Sequence, residues 1–175
     1  MHPASNISIC VTEPLVCLRV AGRANFNCSA DFKRVILALH QQGRRRFVVD
    51  LSECQLMDST FLGVLIGLVT KPPPPPPNQP PLTLEILHPN QRIKDQFDNL
   101  NVTEFFPLAD PAQMPPAVFQ PAEIPGETPT KQEMTRVSLE AHQALMDASP
   151  ANIPRFKDVV QFLAEDLKKT APPSQ

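Results

Sequence analysis

Two apolar runs, 47-FVVDL-51 and 60-TFLGVLIGLV-69, stand close together along the chain, with the polar junction Met57-Asp58-Ser59 just before the second. The first run is short, β-branched and almost unbroken, as expected of a strand covered on both faces. The second is apolar all round, which predicts a helix buried on more than one side. Gly63 and Gly67, four residues apart, would let that helix approach a neighbour closely. A doubly covered strand followed at once by a buried helix restricts the chain to layered architectures in which helices cover a sheet.

The flanking sequence agrees. Residues 7-ISICV-11 and 15-LVCLRVAG-22 read as two strands of a hairpin joined through Thr12, Glu13 and Pro14. A helix is expected from Ser29 to Gln42. Ser29 would be its N-cap, Phe32, Val35, Ile36 and Leu39 its apolar stripe, and Gly43 its stop. Six prolines, Pro72 to Pro77, exclude helix and central strand and predict an extended polyproline loop. A strand 82-LTLEIL-87 and a helix from Asn90 to Leu100 follow. Phe105, Phe106 and Leu108 supply a last short strand or a packing anchor. The result is an α/β domain over residues 5–108. A Pro-rich linker is expected over 109–130 and a C-terminal helical hairpin over 131–169. The hairpin stripes are Met134, Val137, Ala141 and Leu145, then Phe156, Val159, Val160, Leu163 and Leu167.

Composition excludes several classes of function. The net charge of -2 and the absence of Trp and Tyr leave neither a basic surface nor stacking platforms for nucleic acid. The longest apolar stretch, Phe61 to Val69, is too short to span a bilayer, and the first residues lack the pattern of a secretory signal. A soluble, cytoplasmic protein with no membrane partner is expected. Cys10, Cys17, Cys28 and Cys54 form no C-x-x-C pair and have no His at zinc-ligand spacing, so reduced core thiols are expected, with no metal and no cofactor.

The Asp58-Ser59-Thr60 junction admits three chemistries. Asp58 or Ser59 can N-cap the helix that begins near Thr60. Ser59 can act as a nucleophile if a base reaches it; of His2, His40, His88 and His142, only His88, just after a strand, is suitably placed, and the G-x-S-x-G elbow is missing. Finally, Ser59 can accept a phosphate. The unpaired N–H groups and positive dipole end of the helix favour the added charge, and a partner docked there would meet repulsion.

The stretch 50-DLSECQLMDSTFLGVLIGL-68 resembles the core of the STAS domain, shared by bacterial anti-sigma factor antagonists and sulfate-transporter tails. The order of elements over residues 5–108 is similar too. The resemblance implies a STAS-like α/β fold, a mixed β-sheet covered by helices. It implies an anti-sigma factor antagonist in a partner-switching pathway, without catalytic residues of its own. Such a protein binds an anti-sigma serine kinase of the GHKL type, is switched off by phosphorylation at Ser59, and is restored by a PP2C-type phosphatase. By position Asp58 is the acidic neighbour, and Thr60 and Gly63 lie on the same interface helix. The loop 22-GRAN-25 takes the place of the family's Gly-x-Leu-Asp pattern. Gly22, Arg23, Asn25 and Phe26 are therefore also expected at the partner surface, with Asn25 where an acid is usual. The other reading is a STAS-like scaffold or ligand-sensing module that is never phosphorylated, in which Ser59 is only a helix cap and the C-terminal hairpin supplies the binding surface.

Overall fold

The structure, a computed structural model, describes residues 1–170, leaving aside the side chains of residues 3–5. In chain order the elements are β1 (His2–Val11), β2 (Leu15–Val20), β3 (Gly22–Ala24), α1 (Phe26–Gln41), β4 (Arg46–Asp50), β5 (Cys54–Met57), α2 (Ser59–Thr70), β6 (Thr83–Leu87), α3 (Gln91–Asn99), β7 (Gln120–Ile124), α4 (Lys131–Ala148) and α5 (Ile153–Thr170). The sheet runs β6-β4-β2-β1-β7, with β3 and β5 forming a separate parallel pair. Strands β2, β4 and β6 are parallel, whereas β1 is antiparallel to both of its neighbours. This is the mixed, helix-covered sheet expected of the STAS-like fold.

Alternation along the strands sends two sets of side chains to opposite faces. Val16, Leu18, Val20, Phe47, Val49, Leu84 and Ile86 join the main core beneath the helices. Leu15, Cys17, Val48 and Leu87 join a small second core, covered by Met114 and Phe119. Strand β4 is thus covered on both faces, as its unbroken apolarity requires, but its second cover is an irregular segment rather than a helix.

The segment 109–130 contains β7, which extends the sheet by pairing with β1. Pro121 is compatible with that strand because β7 lies at the sheet edge, where one row of N–H groups faces outward. Helix α1 begins three residues before Ser29: Asn25 is its N-cap, and the Ser29 hydroxyl donates instead to the Asn25 carbonyl at 2.8 Å. The proline run forms no regular element between α2 and β6, and the Arg45 guanidinium holds Gln79 at its far end.

Helix α2 is the centre of the packing. Phe61, Leu62, Leu65 and Ile66 are fully buried, and the Phe61 ring lies 4.8 Å from that of Phe32 on α1. Among the described residues no helix is long and apolar enough to cross a membrane. Replacing Phe61 by Ala should lower the unfolding free energy by about 3–5 kcal/mol through lost burial and a residual cavity. Urea denaturation followed by circular dichroism measures the change.

Candidate functional site

The junction before α2 is built around one carboxylate. Asp58 adopts extended backbone geometry and N-caps α2, its Oδ1 accepting from the Phe61 amide at 2.8 Å. Its other oxygen, Oδ2, accepts from the Phe26 amide at 2.7 Å, and its own amide donates to the Ala24 carbonyl at 2.9 Å. One side chain therefore ties the start of α1 to the start of α2. The loop between is fixed from both sides. Gly22 takes a φ of +71°, which favours glycine, and Asn6 Nδ2 donates to the carbonyls of Ala21 and Arg23. Asn25 accepts from the Asn27 amide at 3.1 Å as the α1 cap. An amide in place of the acid at this position keeps the cap, and the carboxylate at this helix start comes from Asp58. Arg23 is exposed, and Phe26 stays 39% exposed at the rim.

Ser59 is the first residue of α2, one position before the expected start at Thr60, and the cap is Asp58 rather than Ser59, whose hydroxyl is not free. Its hydroxyl lies 2.9 Å from Nε2 of His142 on α4. Nδ1 of that ring lies 2.7 Å from the Ser138 carbonyl, to which only an N–H can donate, so in the neutral ring Nε2 accepts the Ser59 proton. The edge of the ring meets Phe156 of α5 at a centroid distance of 5.2 Å. One residue further along, the Thr60 hydroxyl pairs with that of Ser138 at 3.2 Å.

The crossing of α4 over α2 is a backbone contact. A Cβ placed on Gly63 would come within 2.3 Å of the Ala141 carbonyl oxygen, whereas one on Gly67 would sit 3.9 Å from the Ala144 Cβ. The expected interface residues thus fall into two groups. Gly22, Arg23, Asn25, Phe26 and Asp58 form a rim clamped to the helix end, while Ser59, Thr60 and Gly63 lie against α4. Beside Ser59 opens a shallow cleft of about 630 Å³, lined by Met57, Arg92, Asp95, Arg155 and Phe156 among others.

His88, the base considered for a nucleophilic Ser59, does not line that cleft. It lines a pocket of about 270 Å³ with Cys17, Arg19, Asp50 and Phe119 in the second core. The histidine at Ser59 is His142, four residues after Ser138 and next to Ala141 in the apolar stripe of α4. A histidine bordering a predicted buried stripe was the available signal. The cysteines are buried and free. Burial, then the Asp50 carboxylate, pushes the Cys17 thiol up to about 12, and burial also raises Cys28 and Cys54, so these groups stay protonated at neutral pH. Among the described residues no group of three or more His, Cys, Asp or Glu is placed to hold a metal ion.

Comparison with family models matches residues 6–112 to the STAS domain. Among solved structures, the chain is similar to the anti-sigma factor antagonist SpoIIAA in its unphosphorylated form, with a TM-score of 0.50 and 15% identity over 61% of this chain and 90% of that one. An anti-sigma factor antagonist from Mycobacterium paratuberculosis gives a TM-score of 0.48 and 15% identity, over 58% of this chain and 82% of that one. The phosphorylated form of SpoIIAA from Bacillus gives 0.46 and 15%, over 61% and 94%. No curated protein matches the sequence.

The helix crossing yields a paired prediction. Gly63→Ala should destabilise the protein by about 1–3 kcal/mol, because backbone must move to admit the methyl group. Gly67→Ala has room and should be neutral or gain up to about 1 kcal/mol from helix propensity. Denaturant midpoints of the two variants against wild type measure the contrast.

Proposed function

Since the chain belongs to the STAS domain family, we propose that it is a protein-binding regulator of the anti-sigma factor antagonist kind, switched at Ser59. In this reading it is a substrate and docking partner rather than an enzyme. It binds an anti-sigma serine kinase of the GHKL type through the rim Arg23–Phe26 and the start of α2, and a PP2C-type phosphatase reverses the modification.

The observation that carries the proposal is the double hydrogen bond of Asp58. It binds the rim loop and the Ser59 helix end into one surface, so a charge added at Ser59 is felt by a partner seated on the rim. The amides of Ser59 and Thr60 precede the first intrahelical bond of α2, from Leu62 to the Asp58 carbonyl, and the helix dipole favours negative charge there. A phosphate would add roughly 1.5–2 negative charges beside the Asp58 carboxylate and disfavour an acidic or tightly desolvated partner face.

A second reading is favoured by the Ser59–His142 hydrogen bond. There Ser59 is a structural group joining α2 to α4, and the protein is a STAS-like scaffold that is never phosphorylated. A nucleophilic role has less support. Nδ1 of His142 is taken by a backbone carbonyl, where a catalytic triad places a carboxylate.

Phosphopeptide mass spectrometry on the protein from its native cells separates the two readings. The switch predicts phosphate on Ser59 in at least one growth or stress condition. It also predicts that Ser59→Ala co-purifies a GHKL-type kinase and that Ser59→Asp retains it at least about tenfold less well, a difference of about 1.4 kcal/mol. An unmodified Ser59 in every condition, with both variants behaving as wild type, establishes the scaffold instead.

A further inference from the structure

We infer that the α4–α5 pair is an intramolecular occupant of the α2 face that carries Ser59, and that a partner in trans reaches this face by displacing the pair. The inference rests on the proposed function and adds a control to it: the part of the surface from Ser59 to Gly63 is covered in cis on its α4 side before any partner or kinase arrives.

The occupancy is direct. Helix α4 lies across Thr60 and Gly63, and its His142 takes the Ser59 hydroxyl hydrogen bond. A phosphoryl group arriving at that oxygen from the cleft beside it must break the bond to His142, whose ring packs against Phe156.

The tether allows release without unravelling the domain. Strand β7 fixes the preceding segment to the sheet edge through β1, and α4 begins only at Lys131. Between them lies 125-PGETPT-130, with Gly126 at a φ of +84°. Rotation within these residues lifts both helices while every strand stays paired. This hinge is latched by Arg34, whose guanidinium donates to the Pro125 and Glu127 carbonyls and to the Glu133 carboxylate.

The energetics also suit a reversible contact. The buried apolar side chains of α4 are Val137, Ala141, Ala144 and Leu145, two of them alanines, and α5 buries none completely. Two further links, Lys33–Glu140 and Lys71–Asp147, are ion pairs in which at least one partner is half exposed or more, a class that stabilises little. The polar groups in the contact, Ser59, Thr60, Ser138 and His142, bond to one another when closed and find water when open. So does the buried Asn152 of the α4–α5 turn, whose Nδ2 donates to the Leu100 carbonyl at 2.9 Å and must release it. Interfaces of this mixed character resemble transient ones between domains.

The surface also restricts its alternative occupant. At Gly63 the helices meet backbone to backbone, so a partner helix that replaces α4 at the same depth needs a small residue at the crossing, as Ala141 is here.

Native-state hydrogen exchange on the full chain tests the inference. The amides of α4 and α5 should exchange through an opening that leaves β2 and β4 closed, with protection at least about 100-fold lower than in those strands. A double variant, Gly67→Cys with Ala144→Cys, supplies the control. The Cβ separation of 3.9 Å falls within the range a disulfide spans, and the native thiols are buried. Oxidised with oxidised glutathione, this variant should raise α4 protection to the level of the strands, and reduction should restore the difference. If α4 in the wild-type protein exchanges only together with β2 and β4, the pair is part of the core and the inference is overturned. The measurement needs no kinase, so an opening pair with no phosphate on Ser59 would remove the switch while leaving the displaceable helices standing.

Discussion

The approach of α4 to α2 at Gly63 is the contact on which the rest of the site depends. With no side chain at that position, the Ala141 backbone settles against the helix, and the spacing of α4 then fixes its neighbours. Ser138 meets Thr60 and His142 meets Ser59, because residues three and four apart share a helix face. A Cβ at residue 63 would push α4 outward and undo both polar pairs. One glycine therefore sets the geometry at a serine four residues earlier in the chain.

That contact also accounts for the composition of α2. A helix lying on one side of a sheet needs only a single apolar stripe. Here Phe61, Leu62, Leu65 and Ile66 are fully buried in the main core, Phe61 against Phe32 of α1, and the side facing α4 carries Gly63, Val64, Gly67 and Leu68, which line the groove between the helices with Val137 and Ala141. All-round apolarity is thus explained by covers on several sides, the core with α1 and the C-terminal helices. The proline-rich segment and β7 deliver this last cover from the far edge of the sheet, so the appended helices reach the middle of the domain.

Much of this fold is legible in the amino-acid sequence. Strands with clear alternation or unbroken apolarity, and helices with caps and stripes, lie within a few residues of where patterning puts them. The misses have physical causes. Strands β3 and β5 are too short, at three and four residues, to show an alternation, and are held by pairing with each other, which no local pattern reveals. Strand β7 hides in a Pro-rich composition that suits an edge position but signals a linker. Asn25 and Ser29 are both good caps, and tertiary bonding to Asp58 selects the earlier start. At the site, Asp58, Ser59 and Thr60 stand out because a polar triplet interrupts two apolar runs. His142 did not, because its role arises from a crossing between segments more than eighty residues apart, and the histidine just after a strand, His88, belongs to the opposite face of the sheet.

The two halves of the candidate surface differ in how they are held. The rim is fixed by bonds to backbone: Asp58 to two helix starts, Asn6 to two loop carbonyls, Asn25 to α1. These bonds do not involve the C-terminal helices, so the rim keeps its shape whether they are closed or open. The half containing Ser59 is held by side chains that reach across from α4, and it changes as soon as those helices move. A partner that binds the rim first meets a preformed surface and gains affinity without ordering it. Contact with the covered half must then outcompete α4, which is present at the high effective concentration of a tethered segment. Weak partners are confined to the rim by that competition, and a partner helix that gains the whole surface needs a small residue where it crosses Gly63. The covering helices therefore act on specificity as well as on access, and both effects trace to the absence of a single side chain at residue 63.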